Sequence, residues 1–110
     1  MKSLFGFASL AMAVIAMVVA ASPAKAAGDA AKGKEVFEQC AVCHNADSTE
    51  KKMGPGLKGL YKKAKLVNGK AVNDANVKAL INAGGNGMPA YEDMLSDAER
   101  ADVIAYLKTL

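Results

Sequence analysis

Cysteine, histidine and arginine are scarce in this chain: its 110 residues hold two cysteines, one histidine and a single arginine, Arg100. Two cysteines cannot form the multi-bridge framework that staples many small exported domains. A structural zinc site wants four ligands, and with both cysteines and the histidine used, a fourth would have to be a carboxylate. Sustained apolar–polar alternation is also missing, which argues against strands. No internal repeat, low-complexity tract or linker divides the sequence, so one domain is expected.

The three scarce side chains stand together. "EQCAVCHNAD", residues 38–47, contains Cys40, Cys43 and His44. A reducible Cys-x-x-Cys pair needs a thiolate poised at a helix start, usually between strands, and neither flank reads as a strand. Covalent attachment of haem uses all three groups: each thiol adds to one vinyl group, and the adjoining imidazole is carried under the ring to ligate iron. Cys40, Cys43 and His44 are therefore expected to hold one haem c. Such haem attachment belongs outside the cytoplasm, and the N-terminus agrees.

The chain opens with one early lysine, an apolar run from Leu4 to Ala21, and a small-x-small end at Ala24-Lys25-Ala26. That order is expected to be an export signal over residues 1–26, cleaved after Ala26 and delivering residues 27–110 to the periplasm. The alternative is an uncleaved anchor, since the run approaches the roughly 20 apolar residues of a membrane span. Cleavage would leave 84 residues and remove Lys2 and Lys25, so the formal charge falls from +3 to +1. No basic stripe for nucleic acid survives that subtraction. A domain of this size struggles to fill a core, and a large apolar macrocycle would supply what is missing.

Helical signals fill the remainder. Asp29 is the expected N-cap, and Gly33, Val36, Phe37 and Cys40 follow at i, i+3, i+4, i+7, which predicts one helix face delivering Cys40 to the haem. A second helix is expected from Asn73 or Asp74, with Val77, Leu80 and Ile81 on one side, ending at Gly84-Gly85. Ser96 and Glu99 form a capping-box pattern ahead of Val103, Ile104, Leu107 and Leu110. The expected fold is all-α, three main helices with irregular loops wrapped around one haem.

Taken in order, "CAVCH" at 40–44, "GPGLKGL" at 54–60, "GMPAY" at 87–91 and the closing "VIAYLKTL" resemble the small class I cytochromes c of bacteria over residues 27–110. The resemblance implies the cytochrome c fold, with His44 and Met88 as the two iron ligands. It also implies that Pro55 offers its carbonyl to the His44 ring, that Leu57 packs on the haem, and that Gly33 and Phe37 meet Tyr106 and Leu107 where the first and last helices cross. Chemistry supports each role. A ligating imidazole needs an acceptor for its second N–H, and a helical glycine admits a close neighbour. Met53 follows His44 too closely to reach the other face easily, and Met94 sits among acids, whereas Met88 lies in a glycine-rich loop pinned by Pro89.

Two protein ligands would leave iron no open position, so the expected function is an electron carrier and not an enzyme. The alternative is a ligand sensor or peroxidase in which Met88 is displaced. Eight lysines and one acid lie between Lys51 and Lys78, against five acids and Arg100 from Glu92 to Asp102. That asymmetry suits a monomer steered to acidic redox partners, or else is an ordinary solvated surface. Tyr61, with Lys62 or Lys63, is expected near a haem propionate.

Overall fold

The computed structural model describes residues 28–110; the export-signal expectation falls on residues outside that range. Three helices form the frame: α1, Ala30–Phe37; α2, Asp74–Ala83; and α3, Asp97–Leu107, with a single 3-10 turn at Leu60–Lys62 between α1 and α2. Among the described residues there is no strand, only two isolated bridges, Lys65 to Ala71 and Gly85 to Met88. None of the described helices is long and apolar enough to cross a membrane.

Local chemistry sets the helix starts. The Asp29 carboxylate accepts from the Ala31 N–H at 2.9 Å, and Asn73 caps α2 by accepting from the Asn76 N–H at 2.8 Å. At α3 the Ser96 hydroxyl accepts from the Glu99 N–H at 3.1 Å while the Glu99 carboxylate accepts from the Ser96 N–H at 3.0 Å, so two N–H groups otherwise left without helical partners are satisfied. The first helix stops short of Cys40. Its end tightens to bonds reaching three residues back, Glu38 N–H to the Glu35 carbonyl at 3.2 Å and Cys40 N–H to the Phe37 carbonyl at 2.7 Å. Cys40 and Cys43 thus stand on a run of turns that follows α1, and the helical spacing of apolar residues does not reveal that change.

Helices α1 and α3 cross at Gly33. A methyl group there would run into the Asp102 carbonyl and the Tyr106 Cβ, so only glycine allows this approach. Phe37, 4% exposed, packs its ring on Tyr106 at a centroid distance of 5.3 Å and 57° tilt. Burying a phenylalanine to that degree contributes about 1.5–3 kcal/mol. The core joins Phe37 to Leu66, Val77, Val103, Ile104 and Leu107. Of these, Phe37, Leu66, Val77, Val103 and Leu107 line a large hollow.

Candidate functional site

Four hydrogen bonds stitch the segment 52–57 onto the Cys40–Asn45 turn. The Lys52 ammonium donates to the Ala41 carbonyl at 3.0 Å, and the Gly54 N–H donates to the Cys43 carbonyl at 2.8 Å. His44 Nδ1 lies 2.8 Å from the Pro55 carbonyl, and the Leu57 N–H donates to the Asn45 carbonyl at 2.7 Å. A carbonyl only accepts, so Nδ1 carries the ring proton and Nε2 keeps a free lone pair. Gly54 lies so close to the ring that a side chain there would overlap His44 Cε1, Nδ1 and Nε2. The imidazole is therefore fixed in tautomer, in orientation and from one face.

Met88 is delivered by a different device. Gly84, Gly85, Asn86 and Gly87 all have positive φ, at 64°, 126°, 53° and 90°. Gly85 and Met88 exchange two backbone hydrogen bonds, 2.9 and 3.0 Å, across Asn86-Gly87. Positive φ at both central residues marks a type I′ turn, for which Asn-Gly is the favoured pair. Beyond Met88 the chain is tied back to α2 by the Tyr91 N–H on the Ile81 carbonyl at 3.0 Å. Arg100, only 8% exposed, then holds the next stretch, donating to the Glu92 carbonyl at 2.9 Å and the Leu95 carbonyl at 2.6 Å, with its second nitrogen on the Asp97 carboxylate.

Cys40, Cys43, His44, Pro55, Leu57 and Met88 all line one mainly apolar cavity of about 650 Å³, within the roughly 300–1,000 Å³ of cofactor and ligand sites. Its other walls include Leu66, Val77, Leu80, Tyr91, Leu95 and Leu107. Both cysteines are free and half-buried. Burial, and after it the neighbouring Cys43, pushes the Cys40 thiol up, and the Tyr91 hydroxyl is likewise pushed up, by burial first and then by the two thiols. Among the described residues no cluster of three or more His, Cys, Asp or Glu is arranged to hold a metal ion. Two thiols, an imidazole with a free Nε2 and a thioether around an apolar hollow fit a covalently bound haem. A hydrated metal ion would find little there to coordinate it.

The other sequence candidates divide, some lining this hollow and others turned away from it. Met53 also lines it, 77% exposed, with its sulfur 3.8 Å from Cys43 Sγ; Met94, 59% exposed, does not line it. Lys63 lines the opening and Lys62 does not. Tyr61 turns its hydroxyl to Asp74 Oδ1 at 3.0 Å instead of into the cavity, and Lys108 donates to the other oxygen of Asp74 at 2.7 Å. Leu66, Tyr91 and Leu95 went unassigned in the sequence because they lie in loops, where no periodicity marks a buried side chain. Arg100 gave no signal beyond being the sole arginine.

A family model described as Cytochrome c matches residues 30–110. Cytochrome c6 of Thermosynechococcus vestitus is 36% identical over 107 residues, covering 92% of this chain and 88% of that protein. Cytochrome c2 of Blastochloris viridis is 47% identical over 62 residues, 54% of this chain and 49% of the relative, so the chain spans about half the length of that protein. Among solved structures, cytochrome c6 from the diatom Phaeodactylum tricornutum is similar with a TM-score of 0.56 at 29% identity, over 74% of this chain and 93% of that one. Cytochrome cH from Methylobacterium extorquens also gives 0.56, at 27% identity, over 76% and 100%. With three helices around a thiol, imidazole and thioether hollow, the chain belongs to the cytochrome c family, as a small class I monohaem member.

Proposed function

We propose that the chain carries one haem c on Cys40 and Cys43, ligated by His44 and Met88, and moves single electrons between redox proteins outside the cytoplasm. The observation that carries this reading is the His44 Nδ1 to Pro55 carbonyl bond, which leaves Nε2 free as a ligand. When bound, haem supplies an iron that gains or loses one electron. The protein's part is to hold that centre rigid. Pro55 and Gly54 fix the imidazole, and the Gly85–Met88 turn fixes the thioether. Leu57, Leu80 and Leu107 keep water from the ring. A filled coordination sphere that rearranges little favours electron transfer over substrate chemistry, and a thioether ligand raises the potential relative to a second imidazole. Residues 1–26 act as the export signal, so the mature protein begins at Ala27 in the periplasm; its mass reads this directly.

Optical spectra of the purified protein in both oxidation states test the ligand pair. Met88→Ala should abolish the iron–sulfur charge-transfer band and admit cyanide or carbon monoxide, while Met53→Ala and Met94→Ala keep the band. An unchanged Met88→Ala spectrum would assign the sixth position to another residue and remove the argument for a closed electron carrier.

A further inference from the structure

The chain contains two Asn-Gly pairs, Asn68-Gly69 and Asn86-Gly87. In such a pair the glycine amide nitrogen can close a five-membered ring on the asparagine side-chain carbonyl, because glycine offers no side chain to obstruct it. The two pairs differ in what those atoms already do. At 68–69 both are engaged: the Gly69 N–H donates to the Leu66 carbonyl at 2.9 Å, and Asn68 Oδ1 accepts from the Lys70 N–H at 3.1 Å. At 86–87 neither is. Gly85 and Met88 make the bonds of the turn, and among the described residues the Asn86 side chain and the Gly87 N–H have no partner. Both residues are exposed, and nothing approaches within 4 Å of the position a Gly87 Cβ would take. Among the described residues Asn86 is also the non-glycine residue held at positive φ, 53°, a conformation asparagine tolerates at some cost.

We propose that Asn86 is a site of spontaneous deamidation that ages the turn presenting Met88. The Gly87 nitrogen bonds to Cγ of Asn86, the Cγ–Nδ2 bond breaks, and ammonia leaves with the proton that Gly87 gives up. Water then opens the resulting succinimide at either carbonyl, to aspartate or isoaspartate, with no change of oxidation state. Either product adds a negative charge two residues before Met88. Isoaspartate also routes the main chain through the former side chain, and the added methylene is incompatible with the paired Gly85–Met88 hydrogen bonds. The chemistry at Asn86 stands alone, whereas its effect on iron rests on Met88 being the ligand.

The test is storage of the haem-loaded protein in alkaline buffer, followed by tryptic mapping. Trypsin separates the sites into peptides 66–70 and 79–100, and Asn82 within the second serves as a helical reference. Asn86 should convert at least roughly 10-fold faster than Asn68, where the Gly69 N–H and the Asn68 side-chain oxygen are both hydrogen-bonded, and isoaspartyl methyltransferase should label peptide 79–100. The iron–sulfur band should fade in step. Asn86→Gly keeps the turn without a side-chain amide, and should show neither conversion of that peptide nor fading. Equal or faster reaction at Asn68 overturns the proposal. So does an intact Asn86 after a synthetic 79–100 peptide has fully converted. Conversion without fading overturns the link to Met88, while a fresh protein lacking the band fails the ligand assignment and leaves the chemistry at Asn86 standing.

Discussion

At His44 two restraints converge, a carbonyl in line with Nδ1 and a glycine against the ring. Their separate weights can be measured. Gly54→Ala places a methyl group where Cε1 and both ring nitrogens already lie, so either the imidazole tilts or the 52–57 segment lifts from the Cys40–Asn45 turn. Overpacking of this kind costs about 1–3 kcal/mol. The variant should unfold at lower urea, and its reduction potential should move because the imidazole is reoriented; an unchanged potential would show that the ring has room the close contacts deny. At this scale the sequence was most readable where one residue type is the chemistry, as at Cys40, Cys43 and His44. Arg100 was unreadable for the opposite reason. Its partners are the Glu92 and Leu95 carbonyls and the Asp97 carboxylate, and nothing in composition tells that a helical arginine turns inward to hold the backbone behind the Met88 turn.

Among the helices, the informative contest is at Gly33, where propensity and packing oppose each other. Alanine would favour the helix by about 1 kcal/mol over glycine. The methyl group, however, would meet the Asp102 carbonyl, which is backbone and yields little, and the Tyr106 Cβ, so α1 and α3 must separate. Overpacking at about 1–3 kcal/mol outweighs the propensity gain. Gly33→Ala should therefore lower the melting temperature, and a rise would mean the crossing is looser than its geometry. The starts of the helices were legible because Asp29, Asn73 and Ser96 act through bonds to their own neighbours. The end of α1 was not, since the apolar spacing runs on through Cys40 while the hydrogen bonds change register. Helix α3 is also linked to the 3-10 turn and to the start of α2. Lys108, just past α3, and Tyr61 of the 3-10 turn both hold Asp74 at the start of α2. The bond from Lys108 is the main cause that draws the Asp74 carboxyl down, while burial first, then the bond to Asp74 and its charge, push the Tyr61 hydroxyl up. The lowered acid stabilises the fold above the ordinary carboxylate range and loses that effect as pH falls; the raised phenol stabilises it below the ordinary tyrosine value and loses it as pH rises. Thermal unfolding against pH should show the advantage of wild type over Tyr61→Phe shrinking above about pH 10, and that over Asp74→Asn shrinking below about pH 4. A constant gap in both series would show that the bonds at Asp74 shift neither the Tyr61 hydroxyl nor the Asp74 carboxyl.

For the molecule as a whole, the lysines of residues 51–78 matter by where they fall relative to the opening. Lys51, Lys63, Lys65 and Lys70 line it, and Lys62 does not. The sequence could show the run of positive charge but not its placement, because the loops between α1 and α2 carry no period from which a facing direction follows. Exposed charges more than about 10 Å apart are largely screened at 0.1 M salt, so a ring of lysines acts on a partner mainly during approach. If this rim steers an acidic redox protein to the opening, then Lys63→Glu with Lys65→Glu should slow bimolecular electron transfer severalfold at low ionic strength. Reversing Lys62 alone should matter less. The difference should vanish as salt rises, and the potential should shift little, since exposed charges act weakly on a centre shielded by the apolar wall. Stopped-flow rates across a salt series, with the partner in excess, separate association from transfer. Rates equal to wild type at low salt would leave the rim as solubilising charge, and the docking face would then be sought at the exposed apolar side chains Val42 and Met53 beside Cys43, 68% and 77% exposed. There, replacement by serine should slow transfer with no dependence on salt.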